Sequence, residues 1–392
     1  MGFSQALSGL RAAATNLDVV SNNIANSQVV GFKSSRAQFA DVYANAQVGL
    51  GTRVAGIFQD FSEGNIEATN RNMDLAIAGK GFFRFDNQGQ ILYSRNGQLT
   101  VDKSGYIVNA DGAQLTGYPR GTELGGQPQV LQIPAGGLAA QATTQLEGTF
   151  NLDASTPTLP AGTFDANDPS TYSYTNSVTM FDSLGNGYPS MMYFSKVGDN
   201  QWEVRLSRDG EVAPEIGNLT FDSNGVLQNA TNMDAFSFTP GGGADVMNVA
   251  FSLNGTTQFA NDFEQTAMEQ DGYVSGTLMQ VSIAEDGGVI GTYSNEQQVN
   301  LGTIALANFQ SLEGLKPAGG NGWIETQESG IPIISQPGEG QFGKLMAGAV
   351  EASNVDLTQE LVAMIIAQRN YQANAQSIKS QDEALQTTMQ LK

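Results

Sequence analysis

The chain has 392 residues, enough for two or three domains with separate cores, and carries a formal net charge of −21 from 39 acidic and 18 basic side chains. Such a field repels nucleic acid and anionic membrane surfaces, so neither is expected as a partner. Cysteine and histidine are both absent, which removes disulfides, thiolate nucleophiles, the Ser-His-Asp and Cys-His triads and most zinc sites.

The charge is unevenly placed. Residues 1–30 sum to zero and residues 355–392 to −1, leaving −20 on residues 31–354. Nearly neutral ends can pack against copies of themselves while the acidic middle keeps the molecule in solution. No segment approaches the roughly eighteen consecutive apolar residues of a membrane span, so no membrane insertion is expected. The start lacks a basic region followed by an apolar block, so export would proceed without a cleaved signal peptide. The Met-Gly opening has Ala6 where a myristoylation site wants Ser or Thr.

The first element is a helix. Phe3, Leu7, Leu10, Ala14, Leu17, Ser21 and Ile24 recur at steps of three and four, an apolar heptad stripe with one polar break at Ser21. The Asn/Ser cluster around Asn26 and then Gly31 interrupt it. A connector segment over 31–70 is expected to follow, and then β structure to about residue 145. Short alternating runs such as Gly81–Phe85, Gln90–Tyr93 and Gln201–Leu206 read as strands. The turns between strands repeat one chemistry: Asp86, Asp102, Asp182 and Asp222 each stand three residues before a glycine. There the aspartate accepts from backbone amides and the glycine supplies a positive φ.

Composition shifts to Thr, Pro and Ala over Gln141–Asp168 and returns near Gln280–Gly288. An outer β domain over 146–283 is therefore expected, inserted between the halves of an inner β domain at 71–145 and 284–354. The last element is again helical. Leu357, Leu361, Met364, Gln368, Tyr371, Ala375, Ile378, Asp382, Leu385 and Met389 follow the same spacing, with Gln368 and Asp382 as polar exceptions and Asn354 or Asp356 as cap. The fold class is thus α+β, mainly β, with terminal helices (1–30 and 355–392) pairing as a coiled coil around nested β domains.

Catalytic and ligand chemistry finds little support. None of the Asp-x-x-Gly turns has the acidic spacing of a calcium loop, and Gly241–Gly243 lacks the Lys-Ser/Thr of a phosphate loop. Thirty-nine acids offer accidental carboxylate pairs, but Trp202 and Trp323 lie far apart and read as core residues rather than a sugar cleft. No catalytic residue, metal or cofactor is expected.

Three segments carry a resemblance. Ser21, Asn22, Asn23 and Asn26 with Gly31, Phe32 and Lys33 are similar to the N-terminal signature of the bacterial flagellar rod, hook and hook-associated protein family. Asn354 within Ser353–Leu357, together with Gln368, Arg369 and Tyr371, resembles its C-terminal signature, and Ser94–Gly97 with Asp102, Gly105 and Asn109–Gly112 resembles its first β region. Within that family, Phe3–Leu10 and Phe32–Phe39 look like the hook members.

The resemblance implies a non-enzymatic structural subunit that self-assembles through its terminal helices into a flexible tube and transmits torque from rod to filament. It implies as partners further copies of the chain, the distal rod protein, the hook cap, the hook–filament junction protein and the flagellar type III export apparatus, and an extracellular location. The alternatives are a distal rod protein of the basal body or, from another class, an acidic surface adhesin or glycoside hydrolase.

Overall fold

A computed structural model describes residues 2–42, 51–122, 125–134, 136–160, 162, 164–208, 214–231 and 236–390. It divides into two compact units. The first comprises Met1–Ala135, Gln280–Thr292 and Gln298–Lys392, and the second comprises Gly136–Met279 and Tyr293–Gln297, so the second is inserted within the first. Among the described residues no helix is long and apolar enough to cross a membrane.

The first unit begins and ends in helix: α1 spans Gly2–Ala25 and α2 spans Leu357–Gln390. Ala- and Leu-rich sequence without proline favours both. α1 stops where Asn26 folds back, its N–H donating to the Asn22 carbonyl at 3.1 Å. Gly31 then turns the chain with φ of 71°, and a Cβ there would lie 2.6 Å from the Asn96 amide nitrogen, so only glycine fits. Asp356 caps α2, its Oδ1 accepting from the N–H groups of Thr358 (2.8 Å) and Gln359 (3.1 Å).

After α1 the chain forms an antiparallel hairpin of β1 (Ser35–Asp41) and β2 (Thr52–Gln59), with a bulge between Gln38 and Phe39. The hairpin packs on α1, and the Thr52 N–H donates to Ser8 Oγ at 3.2 Å. Two short strands, β3 (Ile66–Ala68) and β4 (Leu75–Ala78), then pair with Ala349–Glu351 and Lys344–Ala347 near the other end of the sequence. The large sheet follows, in which β5 (Phe82–Asn87) and β6 (Gln90–Ser94) lie between Gln114–Pro119 on one side and Gly322–Ile324 on the other. Its core gathers Phe82, Tyr93, Ala307, Phe309, Leu315 and Trp323.

The second unit is all β. Five antiparallel strands run in chain order from Tyr174–Phe181 to Leu227–Thr231. A four-stranded sheet has the order Phe236–Phe238, Met247–Ser252, Gln145–Asn151, Glu264–Gln270, with its middle pair parallel. One core drawn from both sheets surrounds Trp202, Phe194, Leu219, Phe150 and Val249, all at most 1% exposed.

The Asp-x-x-Gly turns have the expected geometry. Oδ1 of Asp102 accepts from the Ser104 and Tyr106 amides at 2.8 Å, and Oδ1 of Asp222 accepts from Asn224 and Val226 at 2.8 and 2.9 Å. Asp182 does the same with Leu184 and Asn186, and those bonds hold its carboxyl below the usual range although burial opposes them.

Candidate assembly site

The two terminal helices lie antiparallel against each other. The Asn23 amide donates to Glu360 Oε1 at 3.0 Å, and Gly9 meets Asn374, where a Cβ on the glycine would lie 2.7 Å from Oδ1. From Gly9 to Asn23 and from Asn374 back to Glu360 is the same fourteen-residue step, so one register holds along the whole pair. Small side chains make the approach close. On α1 the buried residues are Ala6, Ala12, Ala13, Val19, Val20 and Asn23, and on α2 Ala367 is 1% exposed.

The heptad stripe of larger residues lies beside this seam. On α1, Leu7, Leu10, Ala14, Leu17 and Ile24 are half-buried and Phe3 is 50% exposed. On α2, Met364, Ala375 and Ile378 are half-buried, whereas Leu357, Leu361, Tyr371, Leu385 and Met389 are exposed. Val362, Ile365 and Ile366 extend that surface, each more than half exposed. Small residues are thus buried on both helices while several large apolar ones, most of them on α2, stay exposed, a surface of the kind that marks contact with other molecules.

The signature positions divide into two sets. Ser21, Asn22, Gln368, Arg369 and Tyr371 lie on the exposed helix surfaces, while Asn26 and Phe32 are half-buried in the turn after α1. Asn23, Gly31, Lys33 and Asn354 instead knit the helix roots to the β body. Asn23 exchanges two bonds with the Ser35 backbone, donating through Nδ2 at 2.8 Å and accepting at Oδ1 at 2.9 Å. Asn354 accepts from the Ser34 N–H and donates to the Asp60 carbonyl, both at 2.8 Å.

Lys33, fully buried, belongs to an ionic cluster that the sequence alone does not disclose. Its Nζ lies 2.6 Å from both the Ser62 carbonyl and Glu351 Oε1. The Gly64 amide donates to the same carboxylate oxygen at 2.9 Å, and Arg95 donates to Glu351 Oε2 at 3.1 Å. Arg95 also holds the Ile77 and Gly79 carbonyls, and its guanidinium stacks 5.4 Å over the Phe82 ring. Burial pushes the Lys33 ammonium below its ordinary range even though Glu351 opposes the shift. Glu351 and Arg95 sit 318 and 62 residues from Lys33, and no spacing rule links them.

Comparison with known proteins agrees with this architecture. Residues 4–33 match the family described as flagella basal body rod protein, residues 76–154 the flagellar hook protein FlgE/F/G D1 domain, residues 151–273 the flagellar basal body protein FlaE D2 domain, and residues 346–391 the flagellar basal body rod FlgEFG protein C-terminal family. The chain is 46% identical over 402 residues to the flagellar hook protein FlgE of Escherichia coli, with all of both chains covered. It is 45% identical to that of Salmonella typhimurium over 404 residues, again with full coverage, and 31% identical to that of Treponema pallidum over 98% of each chain. Among solved structures, the fold resembles Helicobacter pylori flagellar hook protein FlgE2 with a TM-score of 0.55 at 14% identity, covering 73% of this chain and all of that one.

Proposed function

The chain belongs to the flagellar hook protein family and is a structural subunit of the hook, a homopolymer outside the cell, and from that premise we propose that α1 and α2 are its polymerisation surface. The observation that carries this reading is the apolar band on α2, where Leu361, Val362, Ile365 and Ile366 are 46, 53, 51 and 54% exposed. Neighbouring copies cover the band in the polymer, and the thin seam of alanines and valines leaves the helix pair weak on its own.

In this reading residues 1–30 and 355–392 form the permanent grip, 31–70 connects them to an inner β domain at 71–145 and 284–354, and the acidic domain at 146–283 faces solvent. A spinning, bent tube lengthens and shortens each row of subunits once per turn, so contacts between β domains must be polar and exchangeable while the helical contacts persist. The chain transmits torque from rod to filament in this way, docking at its ends on the distal rod protein and the hook–filament junction protein. The hook cap guides its addition, and the flagellar type III apparatus exports it without cleaving a signal peptide.

Electron microscopy of concentrated protein tests the reading. Supple, curved tubes are expected from the full chain and none from a chain lacking either helix; tubes from a helix-deleted chain would overturn it.

A further inference from the structure

We propose that Glu351 is a positioning residue for assembly, fixing the direction in which the terminal helices leave the β body. The proposal rests on the helices being the polymerisation surface. Glu351 is 1% exposed, and three separate stretches of chain converge on it. Lys33 arrives from the segment after α1, Gly64 from the segment after β2, Arg95 from the end of β6, and the Gly31 N–H bonds the Glu351 backbone carbonyl at 2.7 Å. Five residues further on, Asp356 caps α2. One carboxylate thus ties the exit from α1 and the entry to α2 to the same point of the sheet.

Adhesion alone does not require this cluster. The connector is already held nearby by apolar contact, Phe61 lying edge-on to Phe82 at 5.7 Å and to Trp323 at 5.3 Å, and by the Trp323 indole donating to Gln59 Oε1 at 2.5 Å. Three buried charges are a costly means of sticking two segments together, because desolvation offsets most of their attraction. What they add is direction: Lys33 is shared between the Ser62 carbonyl and one carboxylate oxygen, and Arg95 spans the other oxygen and two carbonyls of the β4 edge. Each bond has a narrow geometry, and together they admit one placement of the connector.

The test separates positioning from stability. Glu351→Gln leaves Lys33 and Arg95 without their carboxylate, whereas Lys33→Met, Arg95→Met and Glu351→Met together replace all three buried charges by apolar volume, so that none is stranded and thermal stability is kept. In both variants amide exchange is expected to accelerate at 31–35 and 351–354 while the β6 region stays protected, and the critical concentration for polymerisation to rise about tenfold or more, corresponding to roughly 1.4 kcal/mol per subunit. Should the triple variant fail to fold, Glu351→Asp retains the charge and retracts it by one methylene, and the same rise is expected. Polymerisation at the unmodified concentration by any folded variant overturns the proposal. A chain lacking α2 serves as control: if it too assembles normally, the helical reading fails rather than the role of Glu351.

Discussion

Gly9 on α1 and Asn374 on α2 approach so closely that a Cβ on the glycine would lie 2.7 Å from the asparagine Oδ1. Alanine at position 9 would gain about 1 kcal/mol of helix propensity, and the Asn374 amide can swing aside from one methyl. Valine cannot be evaded so easily, since its branched Cβ has a single favoured rotamer in a helix. Gly9→Val is expected to cost about 1–3 kcal/mol of helix pairing and to raise the critical concentration, whereas Gly9→Ala assembles normally. Asn374→Ala should rescue Gly9→Val, because it removes the atoms that collide. Turbidity and electron microscopy of the four proteins check this, and equal defects with and without Asn374→Ala would reject the contact.

The position of that seam was not legible in the sequence, and the reason is physical. A heptad search selects bulky residues at regular spacing, such as Leu7, Leu10, Leu361 and Tyr371, and passes over alanine and glycine. Within one chain the helices meet where Gly9 lies against Asn374 and Asn23 bonds Glu360, and Ala6, Ala13 and Ala367 are buried. The extent of both helices and the Asp102, Asp182 and Asp222 turns were readable, because each depends on residues within a few positions of one another. Asn23, Lys33 and Asn354 stood out only as parts of a family signature; their partners Ser35, Glu351 and Ser34 explain them in three dimensions. Glu351 carried no local signal at all.

Tyr93 sets an alkaline limit on the first unit. Its side chain is 1% exposed, its ring lies 4.7 Å from that of Phe309, and its hydroxyl donates to Glu325 Oε2 at 2.7 Å. Burial first, and then the Glu325 carboxylate, push its ionisation well above the ordinary 10.0. The folded chain therefore keeps this proton after the unfolded chain has lost it. Its contribution is fully present below pH 10 and is lost as pH rises beyond that value. Tyr93→Phe should lower neutral-pH stability by about 1 kcal/mol, since Glu325 is exposed, and should flatten the fall in stability above pH 10. Urea titrations between pH 7 and 11 check both, and an unchanged alkaline slope would remove Tyr93 from the explanation.

Trp202 is the centre of the second unit. It is fully buried, stacks 6.0 Å from the Tyr174 ring, and donates its indole N–H to Gln258 Oε1 at 2.8 Å. Gln258 is itself buried and passes the network on to Asn200 at 3.0 Å. Trp202→Ala is expected to cost about 3–5 kcal/mol, and Trp202→Phe about 1–3 kcal/mol because it strands a buried acceptor. Hydrogen exchange should report the loss across 145–270 and leave α1 and α2 untouched. Loss of helix protection in the same variants would show that the two units do not unfold separately.

The register of the helix pair marks where α2 runs out of partner. With Gly9 opposite Asn374, Gly2 falls opposite Gln381, and α2 continues to Gln390 beyond the reach of α1. On that overhang Leu385 is 60% and Met389 is 79% exposed. A chain ending at Gln381 keeps every residue that faces α1, so its melting temperature should match that of the full chain and its helical circular dichroism should fall only by the share of the residues removed. Its surface for neighbouring copies is nevertheless reduced by two large apolar side chains, each worth about 1.5–3 kcal/mol when fully buried. The critical concentration should therefore rise by at least about tenfold, measured by sedimentation of polymer from a dilution series. Leu385→Ala alone should give an intermediate rise. Unchanged sedimentation in the shortened chain would mean that the overhang touches no neighbour and that the grip lies wholly within the paired part of the helices.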